Sequence, residues 1–412
     1  MISNNKIAIL GLGYVGLPLL QAFSKFYDVV GFDICTKRIK NLQISCKINN
    51  NSKAKAVVFT SKKSKLSDAN IYIITVPTPL NKDNSPDLSK IKSATEIVAQ
   101  NIKKGNIIIY ESTVYPGVTE DFCVPILEKI SNLSYNIDFY CAYSPERISP
   151  GDDRFTLKKM IKITSGSTPF IDDFVDDMYK KIIDAGTYKA SSIKIAEAAK
   201  VIENIQRDVN IALINELAII FDGMDLNTNE VLQAATTKSN FIPFKPGLVG
   251  GHCISVDPYY LSYKSMKLGV KADIINVSRK INDNMSNFIV DKTIDILNKN
   301  KINIIHSNIL ILGYTFKENC ADTRNTKVKD VISQLIKKKI NIEIFDPLIE
   351  NNNDFNFIEN PFLNKKKYDC IIAAVSHNQF KNYKVDDFIK ISKGKLVLLD
   401  IKGMYNFSTW KL

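Results

Sequence analysis

The sequence predicts an α/β protein with two doubly wound parallel sheets, joined by a long helix and a helical region. Three observations carry this. An apolar run ending in glycine, KIAIL at 6–10, leads through GLGYVG into a helically spaced stretch, and a second strand, VVGFD at 29–33, follows. The same strand–helix–strand order restarts at NILILG, 308–313. Between them, the residues from Ser192 to Gly223 keep a helical pattern too long for an ordinary surface helix.

The remaining elements follow in order. IYIITVP at 71–77, NIIIYEST at 106–113 and DFYCAYS at 138–144 read as strands, with a helix near 89–101. The long helix is read as a spine between domains and a dimer contact, and a second helical stretch covers about 275–298. In the last third, 326–339 is helical, and NIEIFDP at 341–347, CIIAAVS at 370–376 and KLVLLDIKG at 395–403 are strands. The Asn- and Lys-rich stretch 350–367 reads as surface loop. The resulting domains are 1–190, 191–302 and 303–412.

Composition narrows the function classes. Hydrophobic residues at 45% and charged residues at 24% are those of a globular chain. The net charge of +12 comes from dispersed lysines, with no basic block interleaved with aromatics, so no nucleic-acid partner is expected. The seven cysteines form no CxxC pair, which argues against a disulfide framework and a zinc ribbon. The opening MISNNKIAILGLGYVG lacks the features of a signal peptide, and no apolar run reaches the ~18 residues of a membrane span. The expectation is a cytoplasmic protein without a membrane partner.

Gly11-Leu12-Gly13-Tyr14-Val15-Gly16 fits G-x-G-x-x-G in the context that motif requires: after a strand, opening a helix, with Asp33 at the end of the next strand. Gly11 permits the tight turn, Gly13 lets a pyrophosphate approach the backbone, and Gly16 allows close helix packing. Asp33 is placed to accept from the adenosine ribose hydroxyls, and a carboxylate there repels a 2′-phosphate. The cofactor expected is NAD. Val76-Pro77-Thr78-Pro79, Glu111-Ser112-Thr113 and Pro145-Glu146-Arg147 all follow strand ends, the sheet edge where ligands bind. Thr113 offers a hydroxyl to a nicotinamide, a water or a sugar. Glu146 is a candidate general base, and Arg147 a phosphate or sugar contact. Lys200 and Asn204 are one helical turn apart, on one face, suited to a shared oxygen.

PGLVGGHCISVDPYY, 246–260, surrounds Cys253 with Gly250, Gly251, His252 and Asp257. The glycines are expected to admit another molecule to the backbone. Asp257 is placed to orient a group or a water. A metal set lacks ligands, because His306 and His377 lie elsewhere and are read as structural, so no metal is expected. A nucleophilic thiol is the better reading. His252 shapes the loop or touches substrate.

The chain resembles the UDP-glucose/GDP-mannose dehydrogenase family over essentially its whole length, through GLGYVGLP, VPTP, ESTV, SPER, EAAKVIEN, GLVGGHCISVDPYY, RKINDNM and GYTFKENCADTRNT in family order. SPER with Pro150-Gly151 downstream, and FKPGLVGGHC followed by VDPYY, are similar to the N-acetylhexosamine branch. That branch oxidises UDP-GlcNAc or UDP-GalNAc at C6 for capsule, O-antigen or related surface polysaccharides. The resemblance implies two Rossmann-like domains, the second binding UDP-sugar, bridged by a helical dimerisation region, in a homodimer or larger homo-oligomer. It implies a four-electron oxidation with NAD, in which Cys253 carries a thiohemiacetal and then a thioester. Lys200, or a water held by Asp257, is the first base; Asn204 and Lys200 stabilise the oxyanion; Glu146, with Thr113, directs water at the thioester. It further implies cofactor contacts from Tyr14, Val15, Arg38, Pro77, Thr78 and Arg324. Substrate contacts are implied for Glu146, Arg147, Lys200, Asn204, Phe241, Lys245, Gly247, Gly250, His252, Tyr259, Arg279 (across the dimer) and Lys317. Ser255 departs from the relatives' Gly or Pro. The other readings are a UDP-glucose or UDP-N-acetylmannosamine dehydrogenase, a two-electron alcohol dehydrogenase and a non-enzymatic NAD-binding scaffold.

Overall fold

The computed structural model describes residues 5–46, 56–147, 157–349, 354–363 and 366–412. It forms two compact units, Met1–Glu203 with Tyr259–Val270, and Asn204–Pro258 with Lys271–Leu412. In the first unit the elements are β1 (Lys6–Leu10), α1 (Gly16–Phe23), β2 (Asp28–Phe32), α2 (Thr36–Cys46), β3 (Val57–Thr60), β4 (Ile71–Ile74), α3 (Ser89–Ala99), β5 (Asn106–Tyr110), α4 (Val124–Ser131) and β6 (Phe139–Tyr143). After them come β7 (Lys162–Thr164), α5 (Pro169–Lys180) and β8 (Thr187–Lys189). The main sheet is parallel throughout, in the order β3-β2-β1-β4-β5-β6. This is the strand order of dinucleotide-binding sheets, with its switch point between β1 and β4. Both faces are covered, so the strands are unbroken apolar runs. Ile7, Ile9, Ile71, Ile73, Ile107 and Ile109 pack on one face. Their neighbours Ala8, Leu10, Tyr72, Ile74, Ile108 and Tyr110 pack on the other.

Helix α6 (Ile193–Gly223) spans 31 residues, as the sequence pattern predicts. It is followed by α7 (Thr228–Ala235), α8 (Asp257–Lys267) and α9 (Asp273–Lys299). The second sheet, in the second unit, contains β9 (Asn308–Leu312), then α10 (Val328–Lys337), β10 (Asn341–Phe345), β11 (Cys370–Ala373), α11 (Val385–Lys390), β12 (Leu398–Asp400) and β13 (Trp410–Lys411). Its order is β10-β9-β11-β12-β13, also parallel, the other common doubly wound arrangement. The expected α/β class with two such sheets is therefore what forms.

Several differences from the sequence reading have local causes. Strands β4 and β5 stop at Ile74 and Tyr110, because Thr75–Pro79 and Glu111–Thr113 leave the sheet as loops at its carboxyl edge. The stretch from Asp257, which the sequence reading placed in no element, is helix α8; Asp-Pro at its start suits a first turn, where proline lacks an N–H that would go unused anyway. Of the loop read over 350–367, the described part holds a short 3-10 turn at Pro361–Leu363, and residues 350–353 and 364–365 lie outside the described residues.

Candidate active site

The turn after β1 is shaped for a close ligand. Gly11 sits at φ +96°, the left-handed region that glycine tolerates. Its N–H donates to Phe32 O at 2.9 Å, and the Thr75 hydroxyl donates to its carbonyl at 2.6 Å. A Cβ on Gly16 would lie 1.9 Å from Gly11 O, so only glycine lets α1 start there. A Cβ on Gly13 would meet nothing within 4 Å, which leaves open space over the backbone where a pyrophosphate is expected. Asp33 Oδ2 accepts from Leu12 N–H and Arg38 Nη1, both at 3.0 Å, and Oδ1 accepts from Cys35 N–H at 2.8 Å. A carboxylate has about four acceptor positions, so capacity remains for a ribose hydroxyl. Tyr14 and Pro77 are exposed, and Val15 is half-buried. These features fit NAD.

The loops beyond β4, β5 and β6 are tied to one another. Thr78 Oγ1 donates to Thr113 O at 2.7 Å, Ser112 Oγ to Val76 O at 2.6 Å, and Tyr143 Oη to Ser112 O at 3.2 Å. Tyr260 Oη, from α8, donates to Thr78 O at 2.8 Å; its neighbour Tyr259 is half-buried. Thr113 is half-buried beside them. Glu146 Oε1 accepts from Arg147 N–H at 2.6 Å. Arg147 sends Nη1 to Ile161 O at 2.8 Å and Nη2 to Glu203 at 2.7 Å. Its fork is thus engaged within the unit, where the sequence reading gave it to substrate; here it anchors the Glu146 loop to α6. Pro150 and Gly151 lie outside the described residues. Lys200 is buried to 9% exposure, and no ion pair engages it among the described residues.

In the second unit, Asn204 and Asp257 are both buried, at 1% and 2% exposure. The Asn204 amide nitrogen donates to Asp257 Oδ2, and its oxygen accepts from Arg207, which fixes the amide orientation. Cys253 is exposed, and its carbonyl accepts from Asp257 N–H at 2.9 Å, so thiol and carboxylate share one turn at the start of α8. The glycine pair lets the chain itself come close. A Cβ on Gly250 would meet Asn325 O at 2.6 Å, and one on Gly251, at φ +88°, would meet the Phe316 ring at 2.7 Å. Ser255 donates to Gly251 O at 2.5 Å and closes the turn, so its side chain serves the loop.

His252 packs edge-on to Phe316, with Nδ1 3.8 Å from Asp322. Burial, with Arg324 and Lys317 nearby, pushes its pKa down, so the ring is neutral at pH 7. Arg324 makes a two-pronged pair with Asp322, and Lys317 lies over Phe316 at 5.8 Å. Phe241 is half-buried, Lys245 exposed and Gly247 buried, the last bonded to Asn215 in both directions at 2.8 and 3.1 Å. Arg279 is 2% exposed and pairs with Asp208 at 2.5 Å and Asp283 at 2.6 Å. Sequence reasoning missed Lys162 and Tyr179, and quoted Glu111 and Glu197 only within longer motifs; all four are buried beneath the strand-end loops.

Residues 5–183 match the NAD binding domain of the UDP-glucose/GDP-mannose dehydrogenase family, 194–284 its central domain, and 310–407 its UDP binding domain. The chain belongs to the UDP-glucose/GDP-mannose dehydrogenase family. It is 50% identical over 406 residues to the UDP-N-acetyl-D-glucosamine 6-dehydrogenase of Salmonella typhi, covering 96% of each chain. It is 48% identical over 406 residues to the enzyme of the same name from Pseudomonas aeruginosa, again covering 96% of each. Among solved structures, the UDP-D-ManNAc dehydrogenase of Pyrococcus horikoshii superposes with a TM-score of 0.88 at 28% identity, covering 98% of each chain. As a member of this family the protein is an NAD-dependent nucleotide-sugar dehydrogenase, an oxidoreductase acting on CH–OH. Among the described residues no group of three or more His, Cys, Asp or Glu could hold a metal ion, and no helix is long and apolar enough to cross a membrane.

Proposed function

We propose that this dehydrogenase converts the C6 alcohol of UDP-N-acetylglucosamine to the carboxylate, a four-electron oxidation with Cys253 as the covalent nucleophile. The observation that carries this reading is the Cys253–Asp257–Asn204 arrangement: an exposed thiol one turn from a buried carboxylate whose partner is a buried amide. The names of the Salmonella and Pseudomonas relatives support the N-acetylglucosamine substrate. Gly11, Gly13, Gly16 and Asp33 would hold NAD, which supplies the hydride acceptor for both oxidations.

The chain's own residues then divide the work. Lys200, or a water held by Asp257, takes the C6 hydroxyl proton. Asn204 and Lys200 donate to the oxyanion that develops at C6. The Cys253 sulfur adds to the aldehyde, keeping it from escape, and the second oxidation leaves a thioester. Glu146 takes a proton from the water that hydrolyses it, with Thr113 orienting that water. Lys317, Lys245, Phe241 and His252 contact the nucleotide sugar in this reading, and Arg324 the cofactor. A homodimer is proposed on the exposed apolar residues of α6, Ile202, Leu213 and Ile220, at 53, 54 and 48% exposure, which a second copy would cover. A cytoplasmic location and a uronic acid destined for surface polysaccharide complete the proposal.

The test is NADH formed per nucleotide sugar consumed, with UDP-GlcNAc, UDP-GalNAc and UDP-glucose in parallel. Two NADH per UDP-GlcNAc, with the other sugars poorer, is the expected result. One NADH with release of an aldehyde would refute the covalent step, and preference for the C4 epimer or for UDP-glucose would refute the substrate.

A further inference from the structure

Beneath the strand-end loops of the first unit lies a buried ion pair that the mechanism above does not use. Lys162 opens β7 and Glu111 follows β5; their side chains are 3% and 0% exposed. The Lys162 ammonium donates to Glu111 Oε2 at 2.7 Å, to Pro145 O at 3.0 Å and to Ser144 O at 3.2 Å. An ammonium has three hydrogens, and all three are used. The Tyr179 hydroxyl, from α5, donates to the other oxygen of Glu111. One charge therefore ties the loop that leads to Thr113 to the two carbonyls just before Glu146. On the far side of Glu146, Arg147 is fastened to Ile161 O and Glu203.

Burial pushes the Glu111 carboxyl up, Lys162 opposes this, and Glu146 pushes it further up, so the Glu146 carboxylate lies within electrostatic reach of the cluster. A buried ion pair adds little net stability over an apolar pair of the same shape, because desolvation offsets the attraction. What it does supply here is direction: three bonds from one atom fix two loops to each other.

We propose that Lys162, held by Glu111 and Tyr179, is a positioning residue for thioester hydrolysis, fixing the backbone that carries Glu146. This rests on the role given to Glu146 above. In that step the water oxygen bonds to the acyl carbon, the C–S bond breaks, one water proton passes to Glu146, and Cys253 leaves as thiolate. Misplacing the base by about 1 Å slows such a step roughly 100-fold. The steps that form the thioester do not use Glu146 and are spared.

The experiment uses the full-length protein with NAD and UDP-N-acetylglucosamine, comparing wild type with Lys162→Met. Intact-mass measurement follows the sugar acyl group on Cys253, and stopped flow follows NADH. The expected result is a rapid first phase of NADH near the wild-type rate, then a steady state ~10–100-fold slower, with acyl-enzyme accumulating and both KM values falling along with kcat, so that kcat/KM is little changed. Equal slowing of both phases, or a wild-type steady state without acyl-enzyme, overturns the proposal. If Lys162→Met does not fold, the neutral double variant Lys162→Met/Glu111→Gln removes the unpaired buried charge and is scored by the same readout. Failure of the underlying reading appears separately, as one NADH per sugar in wild type or as acid formation in Cys253→Ala.

Discussion

Glu197, on α6, sits fully buried with its carboxylate facing the turn after Thr113. Its two oxygens accept from Gly117 N–H at 2.6 Å and Thr119 N–H at 2.9 Å, where Gly117 has φ +99°. Burial outweighs those two bonds and lifts its pKa from 4.5 to about 7, with the nearby Glu120 adding to the rise. The sign follows from proton linkage. Between pH 4.5 and about 7 the folded protein holds a proton that the unfolded chain has lost, so stability falls as pH rises through that window. A shift of roughly 2.5 units corresponds to about 3 kcal/mol. Glu197→Gln is neutral at every pH and keeps one oxygen acceptor for the turn. The assay is urea unfolding of both proteins from pH 4 to pH 8, taking the difference at each pH so that all other titrating groups cancel. The wild type should lose about 3 kcal/mol relative to the variant across the window. A difference that stays constant with pH would refute the reasoning.

Three further outcomes are expected. Cys253→Ala should abolish acid formation while NAD binding, followed by nicotinamide fluorescence, is retained; normal acid output would remove the thiol from the mechanism. Asp33→Ala should weaken NAD about 10–100-fold, the worth of a charge-assisted hydrogen bond, while affinity for UDP-sugar holds; unchanged NAD affinity would take Asp33 out of the ribose site. Gly16→Ala forces a Cβ to within 1.9 Å of Gly11 O, so the turn must move and NAD affinity should fall sharply in a titration, with the sugar-binding unit unaffected.

The sheets were legible in the sequence because strands covered on both faces, such as Ile71–Ile74 and Ile107–Ile109, are apolar without interruption. The strand-end candidates Asp33, Thr113 and Glu146 were legible because the topology fixes which end of a strand faces ligand. What supports them was not. Lys162 lies in KKMIKIT, among lysines that look like solvated surface, and its carboxylate is 51 residues away. Glu197 meets its N–H donors 78 and 80 residues back along the chain. Gly250 and Gly251 were legible as positions needing space, but the sequence does not say that the chain's own Asn325 and Phe316 fill it.

The two units offer a sharper case, because both carry a strand, a glycine and a second strand ending in aspartate. Gly313 N–H donates to Phe345 O at 2.8 Å, as Gly11 does to Phe32 O at 2.9 Å, and both glycines have left-handed φ, +90° and +96°. Asp346 takes Tyr314 N–H at 2.6 Å and Leu348 N–H at 2.9 Å, in the places where Asp33 takes Leu12 and Cys35. The remaining partners differ. Asp346 Oδ2 also accepts from Thr315 N–H and from His377 Nε2, each at 3.1 Å. His377 Nδ1 accepts Asn319 N–H at 2.9 Å, so Nε2 carries the ring proton and the histidine is locked over the carboxylate at 1% exposure. Three of these four donors crowd Oδ2, with His377 lying over it, while Oδ1 takes only Leu348 N–H. Asp33 has three donors, one of them from the Arg38 side chain, which is 50% exposed. The same backbone turn therefore carries a half-exposed arginine against its aspartate in one unit and a buried histidine in the other. That histidine stands 31 positions beyond Asp346, after the next strand, where no local motif announces it.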